Sequence, residues 1–213
     1  MNIKFFVNIL PKVSLIKTVY YSIKFKGVIV VGKGAKLNIH SKGKIIFQNS
    51  KSSLYLGVHF SASPGAVLDI EKNGKLIIGK SVGLHRGVKT VVSENATLTI
   101  GDNSFVNENS RLQCKNAISI GKSTSIGWSC TISDSDQHGI YIDNILVNKC
   151  LPISIGDNVW ICANTAITKG ATLNDNCIIG INSLVQNKEY QSNYIYAGNP
   201  AKQIKTFDRW GSL

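Results

Sequence analysis

The sequence predicts an all-β protein, a single parallel β-helix, and two observations lead to that prediction. Aliphatic residues recur at every sixth position in the second half of the chain, and a small residue follows nearly every one of them four places later. A period of six suits neither a helix nor an ordinary amphipathic strand, but it suits short strands joined by corners, three to a coil. The anchors are Ile155, Ile161, Ile167, Leu173, Ile179 and Val185, preceded by Ile100, Val106, Leu112 and by Ile120, Ile126, Ile132.

Glycine, asparagine and aspartate follow these anchors where corners are expected. Residues 101–103 and 156–158 read Gly-Asp-Asn, and residues 174–176 read Asn-Asp-Asn. These residue types tolerate positive φ better than others, so they suit a chain that turns sharply between strands. The handedness of the coil does not follow from the period.

The first 26 residues form the least regular segment. Lysines interrupt each apolar run, which argues against a membrane-spanning helix, and the apolar stretch before Pro11 lacks the small-residue cleavage site of a signal peptide. Two interpretations of a short helix from Pro11 to about Tyr21 stay open, a cap over the first coil and a basic amphipathic contact with anionic lipid. The helix would have one apolar face: Val13, Ile16, Val19, Tyr20 and Ile23.

Residues 27–99 are less periodic but show no domain boundary. The six-residue step returns over residues 31–37 and 78–84, and glycines punctuate strands of unequal length. We therefore predict an N-terminal helical cap over residues 1–26, one β-helix domain over residues 27–205 with a loop at 133–152, and a C-terminal tail over residues 206–213.

Composition restricts the classes of function. The chain has 213 residues, of which 43% are hydrophobic and 8% aromatic, and its net charge is +12. The lysines are spread through turns, so nucleic-acid binding is not predicted, whereas a phosphate-bearing ligand, an acidic glycan or a membrane surface stays open. Five cysteines without a C-x-x-C pair argue against a disulfide framework or a zinc site and favour a reducing, cytoplasmic location. Cys130 and Cys177, at small positions of the repeat, are expected in the core.

The repeat has one large break, and a histidine lies within it. The six-residue phase is lost after Ile132 and resumes at Ile155, so residues 133–152 are expected to leave the stack as a loop of a few residues more than one coil requires. His138 lies in this loop near Asp134 and Asp136. A neutral imidazole is a natural general base for a hydroxyl or amine nucleophile, although a loop histidine alone is weak support for catalysis.

Longer motifs carry a family resemblance. Residues 155–163 read IGDNVWICA, residues 196–202 read YAGNPAK, and an Asp-x-Asp-x-His segment ends at His138. Over residues 27–205 the chain resembles the hexapeptide-repeat acyltransferases, in the branch of galactoside and maltose O-acetyltransferases, and its Asp-x-Asp-x-His segment is similar to the capsule and lipopolysaccharide O-acetyltransferases. The resemblance implies a left-handed parallel β-helix, a homotrimer with active sites between subunits, and a role in bacterial surface polysaccharide biosynthesis.

The same resemblance implies a reaction. His138 would deprotonate a sugar hydroxyl as that oxygen attacks the thioester of acetyl-CoA, and Asp134 or Asp136 would orient the imidazole. Asn109 and Trp160 are expected to bind the acceptor. A peripheral position at the inner face of the membrane is compatible with this role.

For acetyl-CoA, the resemblance implies a groove between the C-terminal coils of adjacent subunits. The amide of Ala163 would stabilise the oxyanion, Gly180 and Ile181 would line the groove, and Lys202 and Lys205 would meet the phosphates. Ile181 departs from the small residue usual at this place, and its side chain would narrow the channel of the thiol. No metal is expected.

Two rival functions stay open and a third is disfavoured. The chain could be an N-acyltransferase acting on an amino-sugar nucleotide, or a catalytically silent structural solenoid. A zinc enzyme on the same scaffold is disfavoured, because His40, His59 and His85 lie far upstream without the spacing of metal ligands.

Overall fold

The computed structural model describes residues 12–58 and 65–211; residues 1–11, 59–64 and 212–213 lie outside the description. Pro11, where the N-terminal helix was expected to begin, and His59 therefore fall outside the described residues. The described chain contains helix α1 (Leu15–Phe25) and 25 short strands. Within these residues, no helix combines the length and the apolar composition that crossing a membrane requires.

Three sheets of stacked parallel strands form the three sides of a coil. Sheet 1 contains β1 (Val28–Val31), β4 (Ser53–Leu56), β7 (Val82–Leu84), β10 (Phe105–Val106), β13 (Ser125–Ile126), β18 (Trp160–Ile161), β21 (Ile178–Ile179), β24 (Tyr194–Ala197) and β25 (Lys202–Thr206). Sheet 2 contains β2 (Lys36–Ile39), β5 (Val67–Ile70), β8 (Lys89–Val92), β11 (Arg111–Cys114), β14 (Thr131–Ser133), β19 (Ala166–Thr168) and β22 (Leu184–Val185). Sheet 3 contains β3 (Lys44–Phe47), β6 (Lys75–Ile78), β9 (Thr97–Ile100), β12 (Ala117–Ile120), β17 (Ile153–Ile155), β20 (Thr172–Leu173) and β23 (Glu189–Tyr190). Strand β25 turns back antiparallel to β24 and ends sheet 1.

The core is the aliphatic stack that the six-residue period predicts. All twelve anchors are buried, with no side chain more than 2% exposed. The strand register stacks equivalent anchors directly, as in Ile126 on Ile161 and Ile161 on Ile179. Each strand therefore contributes its inward residues to one continuous core, and the outward residues are free for binding.

The small positions of the repeat satisfy the backbone at the corners. The buried hydroxyl of Ser110 donates to the carbonyl of Gly127 in the next coil at 2.9 Å, and that of Thr124 donates to Gly156 at 2.9 Å. A longer side chain would not fit there, and an apolar one would leave a carbonyl without a partner.

Cys130 and Cys177 lie in the core, as predicted from the repeat. Burial raises the pKa of each thiol to about 11, so both stay protonated at neutral pH. Their role is packing.

At the corners, asparagine adopts the left-handed conformation and glycine permits close approach. Asn103, Asn158 and Asn176 have φ between 54° and 58°, whereas Gly101 and Gly156, which precede two of them, do not have positive φ. A Cβ at Gly101 would lie 2.7 Å from the backbone of the next coil. The glycines are therefore required for the stacking distance between coils rather than for φ.

The interruption of the repeat is larger than the sequence indicated. Ile132 and Ile155 lie on adjacent sides of the same coil, not one full coil apart. Ile126 and Ile161, which stack directly, are 35 residues apart, whereas Ile161 and Ile179 are 18 apart, so the interrupted coil carries 17 additional residues. These residues are not an irregular loop throughout, because they contain an antiparallel hairpin, β15 (Tyr141–Ile142) and β16 (Ile145–Leu146).

Helix α1 lies against the first coil, and most of its predicted apolar face points away from that coil. Its residues pack on β1 and β3. Ile16, Val19, Tyr20 and Ile23, which belong to the predicted apolar face, are 55–85% exposed, and Val13, before the helix, is buried. The opposite face of the helix therefore makes the contact.

Candidate active site

A cavity of about 640 Å³ opens at the corner where sheet 1 passes into sheet 2. Outward residues of β10, β13 and β18 form its floor, and the corners after these strands form one wall. The lining is mainly apolar, and its larger side chains are Phe105, Trp128, Trp160, Cys162, Ile181 and Trp210. An apolar cleft of this size with a few polar groups is the usual form of a small-molecule site.

Two predicted site residues, Trp160 and Ala163, line this cavity. Trp160 is 41% exposed, and its ring lies 5.9 Å from that of Trp210. Ala163 is buried, and its amide N–H donates to no acceptor in the described part of the chain. A free amide at the cavity wall is the kind of donor that stabilises an oxyanion.

The next corner places Gly180 and Ile181. Ile181 is 59% exposed and lines the cavity, as expected for a residue that narrows it. Gly180 does not line the cavity; its carbonyl accepts hydrogen bonds from Ser183 Oγ at 2.7 Å and from Thr165 Oγ1 at 3.1 Å. A Cβ on Gly180 would lie 2.9 Å from that of Ala197, so glycine is needed here for packing.

Lys202 and Lys205 lie on β25, the last strand of sheet 1. Both side chains are exposed, and neither lines the cavity. Three strand spacings separate β18 from β25 in sheet 1, a distance of about 14 Å. The lysines therefore lie farther along the sheet that forms the cavity floor.

The insertion projects from a different corner, where sheet 2 passes into sheet 3. His138 lies near its start and is exposed, and within the described residues its imidazole makes no hydrogen bond. Its backbone is held instead, because the amide of Asn148 donates to the carbonyl of His138 at 2.9 Å. The ring is thus free to meet a reactant while its position on the insertion is fixed.

Asp134 does not contact this imidazole. Its carboxylate is buried and accepts the backbone N–H groups of Lys115 at 2.7 Å and Asn116 at 2.8 Å. These bonds tie the start of the insertion to the corner of the preceding coil. Each of its oxygens accepts a backbone N–H group and neither contacts His138 in the described residues, so the geometry supports a structural role for Asp134.

Asp136 is also engaged by other groups. Lys169 Nζ and Asn148 Nδ2 donate to the same carboxylate oxygen, the latter at 2.9 Å. The hydrogen bond from Lys169, assisted by that from Asn148, holds the pKa of the Asp136 carboxyl below its ordinary value. No contact with His138 is present among the described residues, so Asp136 fixes the base of the hairpin rather than the imidazole.

The sequence did not single out Asn148 and Lys169, which organise the insertion. Besides its bonds to Asp136 and His138, Asn148 accepts the backbone N–H of Ile140 at 2.6 Å. Lys169 also donates to the carbonyl of Asn148 at 3.2 Å. No local motif marks either residue, because their roles arise only when the two ends of the insertion meet.

Asn109 and the cavity lie near the same corner, but Asn107 is the residue that lines it. Asn109 has φ 59°, and a Cβ on Gly87 of the preceding coil would lie 2.1 Å from Asn109 Oδ1. This is the conformation and stacking of a corner residue. Asn107, two places earlier, lines the cavity, and its Oδ1 lies 2.9 Å from His85 Nδ1.

Trp128 and Trp210 also line the cavity but were not predicted as site residues from the sequence. Trp128 follows Gly127 at the corner that stacks under Cys162 and Ala163, a position that the repeat register could have revealed. Trp210 lies in the predicted C-terminal tail, where no period applies, and its Nε1 donates to the carbonyl of Asn158 at 2.7 Å. That bond turns the tail back over the cavity.

One chain therefore divides the predicted residues between two corners. Trp160, Ala163 and Ile181 lie at the corner from sheet 1 to sheet 2, and His138 lies on the insertion at the corner from sheet 2 to sheet 3. Within the described residues, no group of three His, Cys, Asp or Glu side chains could hold a metal ion.

Known proteins match this architecture. The chain is 30% identical to the galactoside O-acetyltransferase of Escherichia coli (strain K12) over 144 residues, which cover 64% of this chain and 70% of that protein. It is 22% identical over 149 residues to the putative lipopolysaccharide biosynthesis O-acetyl transferase WbbJ of the same strain, covering 65% of this chain and 76% of WbbJ. The crystal structure of the polySia specific acetyltransferase NeuO superposes with a TM-score of 0.58 at 21% identity, covering 84% of this chain and 86% of that one. No protein-family model matches the sequence.

The stacked parallel sheets define a protein of the left-handed parallel β-helix class, whose coil is an exception to the usual right-handed crossover. The chain belongs to the hexapeptide-repeat acyltransferase family, in the galactoside O-acetyltransferase branch, and is an acetyltransferase. The predictions of fold class and enzyme class are confirmed.

Proposed function

We propose that the protein transfers an acetyl group from acetyl-CoA to a hydroxyl of a sugar, in the assembly of a bacterial surface polysaccharide. The observation that carries the proposal is the exposed imidazole of His138, whose backbone is fixed on the insertion. The same chain belongs to an acetyltransferase family, and its cavity presents the free amide of Ala163. The names of relatives that act on galactosides, lipopolysaccharide and polysialic acid support a sugar acceptor.

The reaction is a direct transfer between two bound substrates. His138 removes the proton of the acceptor hydroxyl as the oxygen attacks the thioester carbonyl, and the amide of Ala163 stabilises the oxyanion that forms. Collapse of the intermediate expels the thiolate of CoA, which takes the proton from the imidazolium. The ester bond forms, the thioester bond breaks, and the imidazole returns to its neutral state.

In this proposal acetyl-CoA binds with its pantetheine arm in the cavity and its phosphates farther along sheet 1. The apolar walls around Trp160 and Ile181 suit the pantetheine arm, and Lys202 and Lys205 lie about 14 Å farther along sheet 1, within reach of the phosphates of an extended CoA. Trp160 and Asn107 are then placed to contact the acceptor at the reacting end.

The chain acts as a homotrimer in this proposal, because one chain does not bring the base to the cavity. The hairpin that follows His138 exposes a patch of large apolar side chains, each more than half exposed: Ile140, Tyr141, Ile142, Ile145 and Val147. Such a patch on a small hairpin suits burial against a neighbouring subunit. A neighbour whose cavity received this hairpin would gain His138 with it.

The test is acetyl transfer by wild type and by His138→Ala, with His40→Ala as the matched control. His40 is exposed in a turn of the first coil, so its removal also deletes an imidazole from the surface. We expect kcat to fall about 10²- to 10⁴-fold in His138→Ala only, with unchanged unfolding temperature. Equal transfer by the two variants would overturn the role of His138.

The product distinguishes an O-acetyltransferase from an N-acyltransferase. Acetylated products from a panel of sugars and glycans are identified by mass spectrometry before and after mild alkali, which cleaves esters and leaves amides intact. We expect the acetyl group to be lost in alkali. A stable product on an amino sugar would replace the proposal with N-acylation, and no product with any acceptor would favour a silent solenoid.

A further inference from the structure

The exposed face of α1 is the feature that neither the cavity nor the insertion explains. Its stripe of large apolar side chains points away from the β-helix, with Ile16 85% exposed and Ile23 73% exposed. The other members of the stripe are Leu15 at 61%, Val19 at 57% and Tyr20 at 55%. Single exposed aliphatic residues are ordinary on protein surfaces, but a continuous stripe along a helix marks a binding surface.

The inward face of α1 has a different composition. Thr18 Oγ1 accepts the N–H of Val31 at 3.0 Å, and Ser22 Oγ accepts the N–H of Ile29 at 3.0 Å and donates to the carbonyl of Ile29 at 3.2 Å. These hydroxyls satisfy the free edge of β1, which no earlier strand covers among the described residues. Tyr21 and Phe25 on the same side pack against the core of the β-helix, so the inward face combines polar and aromatic contacts, while the separate apolar stripe stays outward.

The N-terminal part of the sequence carries charge of one sign. Residues 1–68 contain ten of the 24 basic residues and none of the 12 acidic residues, so ten of the twelve net positive charges of the chain fall within them. Lys17 and Lys24 border the apolar stripe, and Lys24 Nζ lies 5.7 Å from the ring centre of Tyr20. Further exposed lysines, Lys33, Lys36 and Lys42, lie on the first coil, against which the helix packs.

We propose that α1 and the first coil bind the surface of an anionic lipid bilayer, with the apolar stripe inserted among the acyl chains and the lysines at the headgroups. Apolar side chains on one face of a helix bordered by lysines are the recognised form of an interfacial helix. An 11-residue helix is only about 16 Å long, so it lies along the interface and does not cross the bilayer. The inference does not rest on the proposed reaction, because it uses none of the residues of the cavity or the insertion.

The charge pattern favours lipid over other acidic partners. Nucleic acid would be bound by lysines without need of an exposed isoleucine stripe, because its affinity comes from phosphate contacts. A second copy of this chain would present the same positive charge to itself. A bilayer containing anionic lipid is the surface that accepts both the apolar stripe and the charge.

The experiment is sedimentation of the full-length protein with vesicles of phosphatidylcholine alone or containing about a third phosphatidylglycerol. We expect wild type to bind the anionic vesicles at least tenfold more tightly, and high salt to weaken that binding. Ile16→Asp/Ile23→Asp should lose at least tenfold in affinity, because two exposed anchors are replaced by charges. Lys24→Gln/Lys33→Gln should lose about fivefold per lysine.

The control is Ile204→Asp, which puts the same charge on an isoleucine that is 59% exposed on β25, at the last coil of the β-helix. It should bind vesicles like wild type, and circular dichroism and the oligomeric state should be the same for all variants. Three results would each overturn the proposal. Wild type does not bind anionic vesicles, Ile16→Asp/Ile23→Asp binds them as tightly as wild type, or this double substitution changes the oligomeric state and leaves vesicle binding unchanged. Acetyl transfer to a free sugar is measured in parallel, so failure of the reaction and failure of membrane binding are read separately.

Discussion

Asp134 shows how one buried carboxylate holds the insertion in place. Its carboxylate oxygens accept short hydrogen bonds from the N–H groups of Lys115 and Asn116. In the described chain these two corner donors have no other acceptor. A charged acceptor contributes more than a neutral one, so Asp134→Ala should destabilise the protein by about 2–3 kcal/mol. The measurement is urea unfolding, with the exposed Asp208→Ala as the control that should change little. A normal stability with a shifted pH profile of kcat would instead support contact with His138.

Asp136 makes the stability of the insertion depend on pH. Lys169 and Asn148 lower the pKa of its carboxyl, so the stabilising effect is complete above the ordinary value of 3.8 and is lost as the pH falls through the lowered pKa. Asp136→Asn should therefore cost less than about 1 kcal/mol at neutral pH, since the pair is partly exposed, and nothing in strong acid. Urea unfolding of both proteins at neutral and acid pH measures the difference. A difference that grows as the pH falls would contradict the assignment.

At the scale of elements, the repeat register was readable from the sequence because each anchor repeats one physical requirement. Every predicted anchor is buried, since a strand of a coil has one inward position that must be aliphatic. The insertion was not readable to the same degree. The hydrogen bond that fixes the backbone of His138 comes from Asn148, 10 residues away, and Lys169 on the next coil in turn donates to the carbonyl of Asn148, so no local period could reveal these contacts.

Helix α1 gives the opposite lesson, because the sequence predicted its apolar face but left two partners for that face open. Periodicity reports which residues share a face and not what the face meets. The contact with the first coil depends on the hydroxyls of Thr18 and Ser22, whose fit to the edge of β1 appears only in the fold. Trp210 was not predicted for a related reason, because the tail that carries it lies outside the six-residue repeat.

The C-terminal tail contributes Trp210 to the cavity, and a substitution of this residue tests that contribution. Trp210→Ala deletes the ring that faces Trp160 at 5.9 Å and the hydrogen bond to Asn158, and so removes one wall of the cavity. We expect the KM for acetyl-CoA to rise about three- to tenfold, the size of an aromatic contact, with a smaller change in kcat. Trp210→Phe, which keeps a ring but lacks the N–H donor, should lie between wild type and Trp210→Ala. An unchanged KM in Trp210→Ala would place the acyl donor elsewhere.

At the scale of the whole molecule, the separation of His138 from the cavity predicts an active site shared between subunits. Two inactive variants that are mixed in one trimer test this prediction quantitatively. Ser125→Trp, which adds an indole between the outward side chains of Phe105 and Trp160, should fill the cavity without disturbing the core. It and His138→Ala should each be inactive alone. When the two variants are co-expressed in equal amounts and assemble at random, about a quarter of the sites pair an intact histidine from one subunit with an intact cavity from the next.

Every mixed trimer contains one such site among its three, so we expect the isolated mixed trimers to recover about a third of the wild-type kcat per site, because neither defect lies in that site. Differently tagged subunits, purified through both tags, allow the mixed species to be isolated and its mass and acetyl transfer to be measured. The homotrimers of each variant, purified in the same way, are the controls and should stay inactive. Mixed trimers without activity would mean that His138 serves the cavity of its own chain, and the insertion would then have to fold across sheet 2 to reach it.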